Sequence, residues 1–457
     1  MKAVILAAGN GTRMKSNLPK CMHKILGRTM LNIVLDTLIE AGTSEIIVVT
    51  GYGEEKLRES VSASVVFVRQ AERLGTGHAV MTAAGFLNEF DDVLVINGDT
   101  PLLTADSYHW LMESHIKDEN AITVVSTRLD KPFGYGRIIR PVSDGQFLRI
   151  VEHRDLEDGQ ESVNEINTGV YFFQGKALLD ALQLIKPRNA AREYYLPDTL
   201  EIIQSNGLKA GVILAPAAGE FVGINNRVQL AQAVEVLKRR INEKHMMNGV
   251  TIIDPNSAWI SHDVTIGADT IIYPGVILEN TRIGENCVIR SNSRIKDSDI
   301  SNDVEIDNSV IIGASIGEHS QVGPFAYLRP NTHIGAHNKI GDFVEIKNST
   351  LGDYTKASHL TYIGDSDVGR RINFGCGTVT VNYDGNKKYR TVIEDNAFIG
   401  CNTNLIAPVI VKEGAYIAAG STITEDVPEK SLSIARARQV NKPGWKIKAR
   451  HKTDDHR

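Results

Sequence analysis

Ile316-Gly317-Glu318-His319-Ser320-Gln321-Val322-Gly323-Pro324-Phe325-Ala326-Tyr327-Leu328-Arg329-Pro330-Asn331-Thr332-His333-Ile334-Gly335-Ala336-His337-Asn338-Lys339-Ile340-Gly341-Asp342-Phe343-Val344-Glu345-Ile346 decides the fold of the second half of this chain. An aliphatic residue returns at every sixth position (Ile316, Val322, Leu328, Ile334, Ile340, Ile346), and glycine follows Ile316, Val322, Ile334 and Ile340. The count runs from about residue 264 to 426. A period of six belongs to a left-handed parallel β-helix, in which each hexapeptide forms one face of a triangular coil and points its aliphatic residue inward. Three hexapeptides close a coil, so residues eighteen apart stack at the strand spacing of roughly 4.8 Å.

Arg329 and Lys347 are such a pair. Two cations at that spacing repel by on the order of 3 kcal/mol at an effective dielectric near 20. Either both side chains splay into solvent or an anion belongs between them. His359 and Tyr362 fall within one coil of Lys347, and Asn373 follows on the next. The count falters between Phe374 and Ile393, where Thr380-Val381-Asn382-Tyr383-Asp384-Gly385-Asn386-Lys387-Lys388-Tyr389 is too polar to continue a core. Such interruptions of a solenoid commonly build binding surfaces.

Upstream the pattern changes. Apolar runs at residues 4–8, 46–49, 65–68, 93–96 and 122–126 alternate with helical patterns such as 30–41, which predicts an α/β domain with a mostly parallel, Rossmann-like sheet and helices on both faces. Ligands of such a sheet bind beyond the carboxyl ends of its strands. The first strand opens into Leu6-Ala7-Ala8-Gly9-Asn10-Gly11-Thr12-Arg13-Met14, whose glycines let backbone approach a phosphate or base while Arg13 brings charge. No Lys-Ser/Thr follows Gly11, and Met14 stands where a third glycine would complete a dinucleotide fingerprint, so neither standard phosphate loop is present. Lys20 is a second cation nearby. Asp99, at the tip of a buried strand in Gly98-Asp99-Thr100-Pro101, reads as a metal ligand or as a turn residue. Residues 228–248 carry Leu230, Val234, Leu237 and Ile241 on one helical face and end at Gly249. This divides the chain into a domain at 1–227, a linker helix at 228–248 and a β-helix domain at 249–457.

With 457 residues, 42% hydrophobic and 23% charged, at a net charge of −5, the chain has room for two or three domains and no basic excess for nucleic acid. No apolar run reaches membrane-spanning length, and Met1-Lys2 leads directly into a strand; no membrane is expected, and a cytoplasmic location is. Cys21, Cys287, Cys376 and Cys401 lack CxxC spacing and histidine partners at metal-ligand intervals, so they read as free thiols in a reducing compartment rather than a zinc site. The basic stretch 442–457 reads as a solvated tail or as counter-charge to a phosphorylated cofactor.

In order along the chain, Leu6 to Met14, Leu18-Pro19-Lys20, Gln70-Ala71-Glu72, Leu74-Gly75-Thr76-Gly77-His78-Ala79, Gly98-Asp99, Phe133-Gly134-Tyr135-Gly136-Arg137-Ile138, Val151-Glu152, Glu165-Ile166-Asn167-Thr168-Gly169 and Asn225-Asn226-Arg227 resemble the sugar-nucleotide pyrophosphorylase pattern. Joined to the hexapeptide half, the chain resembles over nearly its whole length the family of bacterial bifunctional N-acetylglucosamine-1-phosphate uridyltransferases and glucosamine-1-phosphate acetyltransferases. The resemblance implies that the first half catalyses attack of a sugar 1-phosphate on the α-phosphorus of UTP. A phosphate monoester is already a nucleophile, so positioning and charge neutralisation carry the reaction. By the same resemblance Asp99 and Asn225 hold Mg²⁺, and Arg13 and Lys20 are the catalytic cations on the triphosphate. Leu6, Ala7, Ala8, Gly9, Gln70, Gly75 and Thr76 grip the uridine, while Gly136, Glu152 and Asn167 take the sugar. Taken singly, these glycines and Asn167 also suit ordinary turns.

For the second half the resemblance implies acetyl transfer from acetyl-coenzyme A to the amine of glucosamine 1-phosphate. His359 is the base, Arg329 and Lys347 take the phosphate, Tyr362 and Asn373 complete the acceptor site, and Glu345 is a candidate to orient the imidazole. Asn382, Tyr383, Ala419 and Arg436 contact acetyl-coenzyme A. Cys376 and Cys401 map to the same pocket, where the family more usually has small residues such as Ala and Ser; a thiol reagent is therefore expected to stop acetyl transfer alone, with acetyl-coenzyme A protecting. The family also implies a homotrimer assembled through the β-helix. Two other classes compete: a single-activity nucleotidyltransferase whose β-helix serves only assembly, and a non-catalytic scaffold. The constellation around His359 argues against the first, and intact Arg13, Lys20, Asp99 and Asn225 against the second.

Overall fold

A strand covered on both faces needs an unbroken apolar run, and Ala3, Val4 and Ile5, all with no exposed surface, supply one at the centre of a mixed sheet. In the computed structural model, which describes residues 1–9, 11–140, 149–217 and 219–445, the chain divides into two compact units, Met1–Glu243 and Lys244–Arg457. The sheet of the first unit runs in the order Ala210–Leu214, Ile122–Arg128, Glu165–Gln174, Asp92–Asn97, Lys2–Leu6, Glu45–Thr50, Val66–Arg69. All neighbours are parallel except Glu165–Gln174, which runs antiparallel to both flanking strands. One face packs Val4, Val80, Phe173 and Leu178; the other packs Ile5, Leu35, Tyr108 and Phe172. The hairpin Arg137–Ile139 with Arg149–Val151 joins through Arg137 to Ile166.

The first strand ends at Leu6 rather than at the expected residue 8, with Ala7 N–H donating to Val49 O at 2.9 Å just beyond its last paired residue. Leu6 stands opposite Asn97, which brings the glycine-rich turn and Asp99 side by side at the carboxyl edge. Asn10 of that turn and residues 446–457 of the basic tail lie outside the described residues. The helix Arg227–Met247 starts one residue before the expected position and is followed by Gly249 in the left-handed region (φ 91°). Its Ala233 and Leu237 are buried against Ile25, Met30, Leu102 and Ile224, with Leu230, Val234 and Ile241 beside them. Most of this helix therefore packs as part of the first unit, and the boundary between units falls within its last turn.

The second unit is a three-sided parallel coil of 11, 10 and 9 strands, a left-handed β-helix running from Thr251–Ile252 to Leu432–Ser433. Ile316, Val322, Leu328, Ile334, Ile340 and Ile346 all point inward, each at most 4% exposed. Buried serine and threonine hydroxyls stitch the corners of consecutive coils: Ser309 Oγ donates to Asp307 O at 2.6 Å and accepts from Ala326 N–H at 3.1 Å. The pitch varies. Tyr327 faces Glu345, eighteen residues on; Glu345 faces Tyr362, seventeen on; and Asn373 faces Phe398, twenty-five on, because the polar loop after Asn382 projects from that coil.

Candidate active sites

The glycine-rich turn is shaped to let Lys20 in. Gly11 adopts φ 59°, and a Cβ there would stand 2.6 Å from Lys20 Cβ. The Lys20 ammonium pairs with Asp99 and donates to Asn225 Oδ1 at 2.6 Å; Arg13 donates to the same oxygen at 2.8 Å. Asn225 is held in that orientation from behind, its Nδ2 donating to Gly223 O at 3.0 Å and Tyr135 Oη at 3.2 Å. Oxygens of Asp99 and Asn225, far apart in the sequence, thus converge on one cation, the lysine ammonium. Such a donor pair, leaving room for water and phosphate oxygens, is what Mg²⁺ prefers over an all-protein cage. No group of three or more His, Cys, Asp or Glu side chains among the described residues could hold a metal.

Two cavities meet at this cluster. One of about 390 Å³ is walled by Leu6, Ala7, Ala8, Gly9, Gln70, Gly75 and Thr76. Gly75 (φ 108°) allows the wall to close, since a Cβ there would come within 2.5 Å of Tyr194 O, and Gln70 Nε2 donates to Gly75 O at 3.1 Å. The other, about 310 Å³, is walled by Gly136, Glu152, Asn167 and Tyr171. Leu6, Arg13, Lys20, Thr76, Asn97, Asp99 and Asn225 line both. Asn167 is fixed at each end, donating to Tyr171 Oη at 2.6 Å and accepting from Gly169 N–H at 3.0 Å. Burial, with Asp155, Asp198 and Glu193 nearby, pushes the Glu152 carboxyl up to about 7, and burial raises Asp198 to about 6. Every residue read for the nucleotidyl site therefore lies on one of the two walls. Tyr135 is the prop behind Asn225, and nothing in the spacing of Phe133-Gly134-Tyr135-Gly136 marks it for that role.

In the second unit the imidazole partner is corrected. Glu345 does not reach His359; its Oε1 accepts from Arg329 Nη1 at 2.7 Å. His359 Nδ1 instead lies 2.7 Å from Asp342 Oδ1, because the ladder sets Asp342 directly opposite His359. The imidazole contact holds Asp342 below the usual carboxylate range. An ionised carboxylate only accepts, so Nδ1 is the nitrogen that donates to Asp342, and in the neutral imidazole the lone pair a base needs then falls on Nε2.

The anion demanded by the stacked cations is partly Glu345, which answers Arg329. Lys347 faces another lysine: contact with Lys388, from the projecting loop, holds its ammonium below the usual range. In the sequence Lys388 reads only as one more polar residue of that loop. Arg329, Lys347 and Lys388 thus gather around one point. Asp365, 6% exposed, accepts from Asn348 at 2.5 Å and from Asn382, anchoring the base of the loop. Tyr362 sits half-buried opposite Glu345, and Asn373 opposite Lys356, one coil on from the His359 strand.

The remaining residues form a column. Asn402 N–H donates to Cys376 O at 2.7 Å and Gly420 N–H to Cys401 O at 2.8 Å, so Cys376, Cys401 and Ala419 occupy the same corner on consecutive coils, all exposed. Gly377 N–H donates to Leu360 O at 2.8 Å, which puts Cys376 one coil on from His359 and Leu360. Arg436 follows beside Gly420. Tyr383 is 56% exposed, its hydroxyl donating to Gly385 O at 2.6 Å.

A chain built this way is a two-site transferase, one unit for nucleotidyl chemistry and one for acyl chemistry. Residues 3–191 match the MobA-like NTP transferase domain, and residues 263–297, 313–348 and 390–425 match the bacterial transferase hexapeptide of six repeats. The chain is 50% identical over 454 residues to the bifunctional protein GlmU of Clostridioides difficile, covering 99% of each. It is 52% identical over 446 residues to that of Clostridium botulinum, covering 97% of each, and 49% identical over 445 residues to that of an Exiguobacterium species, covering 97% and 98%. The chain belongs to the GlmU family of bifunctional proteins. It is a bifunctional enzyme of UDP-N-acetylglucosamine synthesis, performing acetyl transfer to glucosamine 1-phosphate in the hexapeptide unit and uridylyl transfer to N-acetylglucosamine 1-phosphate in the nucleotidyltransferase unit.

Proposed function

We propose that the two reactions run on the two constellations above. What carries this reading is that each unit gathers cations at its candidate site: Arg13 and Lys20 where two chambers meet, and Arg329, Lys347 and Lys388 in the unit that also holds the Asp342–His359 pair.

In the first unit the 390 Å³ chamber takes the uridine and the 310 Å³ chamber the sugar, so the sugar phosphate and the α-phosphorus of UTP meet at the cation cluster. Arg13 and Lys20 neutralise charge on the triphosphate and on departing pyrophosphate. Asn167, locked by Tyr171 and Gly169, presents its remaining amide valences to the sugar, and Glu152 accepts a sugar hydroxyl. Asp99 and Asn225 would hold Mg²⁺, which supplies further neutralisation of the phosphates.

In the second unit Arg329, Lys347 and Lys388 hold the phosphate of glucosamine 1-phosphate. His359 Nε2 takes the proton from the amine as nitrogen attacks the thioester carbonyl, and Asp342 steadies the imidazolium that forms. Collapse of the adduct expels the thiolate of coenzyme A, which collects that proton. Asn382, Tyr383, Ala419 and Arg436 bind the cofactor along the corner column.

Assembly belongs to the same proposal. Phe325, Phe343 and Leu360 are 52%, 61% and 58% exposed, and each sits at positive φ (60°, 56°, 37°), where a bulky side chain is strained. A ridge that is strained and also exposes apolar surface suits an interface, here with further copies of this chain in a trimer. The proposed domains are 1–227, the helix 228–248 and 249–457, and the proposed setting is the cytoplasm, where the nucleotide and coenzyme A substrates are made.

The test is a two-arm assay of the wild type, His359→Ala and Asp99→Asn proteins. One arm follows consumption of acetyl-coenzyme A with glucosamine 1-phosphate, the other pyrophosphate release from UTP with N-acetylglucosamine 1-phosphate. Each substitution is expected to lower its own reaction by roughly 10²–10⁴-fold and to spare the other. Loss of both activities from either substitution would sink the assignment.

A further inference from the structure

Cys376 and Cys401 are far apart in sequence only because the coil between them carries the projecting loop. In space they are consecutive members of one ladder: Gly375 N–H donates to Ile399 O at 2.7 Å on one side of the pair, and Asn402 N–H to Cys376 O at 2.7 Å on the other. Directly opposed residues of a parallel ladder stand roughly 4.8 Å apart, inside the Cα separation of about 4.4–6.8 Å that a disulfide spans. Both are the first turn residue after a strand, both are exposed, and both are free thiols. The other two cysteines, Cys21 and Cys287, are buried, and burial raises both thiols, Cys21 to about 12.

We infer that Cys376 and Cys401 form a vicinal dithiol, an oxidation site that closes to a disulfide by exchange with a low-molecular-weight disulfide and so shuts off acetyl transfer. In the first step the thiolate of one cysteine attacks a sulfur of RS–SR, forming a mixed disulfide and releasing RSH. In the second, the other cysteine attacks the protein sulfur of that mixed disulfide and releases the second RSH. Two cysteines lose two electrons, the small disulfide gains them, and the two thiol protons end on the two RSH molecules. The bond would tie two coils together at the corner that runs from His359 to Ala419, drawing both side chains off the surface along which acetyl-coenzyme A is placed. The gating, though not the bond itself, rests on the acetyl-transfer reading of that corner.

The experiment uses the full chain, reduced and desalted, then treated with glutathione disulfide. Remaining thiols are alkylated under denaturing conditions and peptides mapped, while both activities are assayed before treatment, after it, and after dithiothreitol. The expected result is a peptide linking Cys376 to Cys401, alkylation confined to Cys21 and Cys287, loss of acetyl transfer with uridylyl transfer retained, and recovery on reduction. A Cys401→Ser protein, compared with its own reduced rate, is expected to keep glutathione on Cys376 instead of closing. Stable glutathione adducts on both cysteines of the wild type, or a linked peptide with undiminished acetyl transfer, would overturn the inference. A reduced wild type with no acetyl transfer refutes the proposed function instead, and the peptide map still judges the bond.

Discussion

Glu152 shows what a single side chain records about its chamber. Burial and the neighbouring acids lift its carboxyl to about 7 from a usual value of 4.5. The folded chain therefore binds this proton more tightly than the unfolded chain does, so the stabilisation is whole below about pH 4.5 and is lost as pH climbs through 7. Glu152→Gln, which cannot ionise, is expected to melt higher than wild type by roughly 2–4 °C at pH 8, to match it near pH 4.5, and to bind N-acetylglucosamine 1-phosphate more weakly. Melting curves at the two pH values check this; an equal shift at both would show that charge is not the cause. Most residues of this chamber were legible in the sequence because they come in short, specific motifs. Asp342 was not. A count of eighteen points away from it, and only the local shortening of the ladder to seventeen sets Asp342 rather than Glu345 against His359.

At the scale of elements, the projecting loop depends on one buried corner. Burial pushes Asp365 up, yet hydrogen bonds from Asn348 and Asn382, with Lys347 and Lys388 beside it, hold its carboxyl below the usual range. Removing it in Asp365→Ala frees Asn382 and loosens the loop that carries Tyr383 and Lys388. The KM for acetyl-coenzyme A is expected to rise on the order of tenfold, equivalent to losing about 1.4 kcal/mol of hydrogen bonding, with uridylyl transfer unchanged. Steady-state kinetics on both reactions decide it, and an unaltered KM would mean that the loop holds itself. The hexads announced the coils because each inward position must be aliphatic, and the loop announced itself by breaking that rule. The strand Glu165–Gln174 shows in the sequence only as a site motif, since Asn167-Thr168-Gly169 interrupts its apolar run where the register shifts between Asn167 and Tyr171 and Gly169 takes φ 80°.

For the molecule as a whole, the two units hold separate chemistry, and the proposed trimer is expected to bear on acetyl transfer alone. Sedimentation equilibrium is expected to give three times the 50.1 kDa chain mass. Replacing Phe325 and Phe343 together with Asp puts charge on the ridge; it is expected to yield monomers, with acetyl transfer sharply reduced and uridylyl transfer preserved. A monomeric wild type with full acetyl transfer would rule out the trimer. No described helix is long and apolar enough to cross a membrane. The hexad count does not mark the exposed ridge, because Phe325, Phe343 and Leu360 fall at corner positions that the count treats as free. Nor could it show the meeting of Cys376 with Cys401, because the loop hides their adjacency.

The hydroxyl-stitched corners have one more consequence. Ser309 bonds one coil to the next, and Ser320 and Thr355 do likewise through Gly335 O and Gly369 O. These hydroxyls thus settle the backbone polar groups of each corner between one coil and its immediate neighbour, as in a stack of repeats. Such a body behaves like a screw thread. Its height can change by a whole turn without altering the pitch elsewhere, so inheritance can lengthen or shorten the shaft between Thr251 and the Arg329 corner while leaving the working turns as they are.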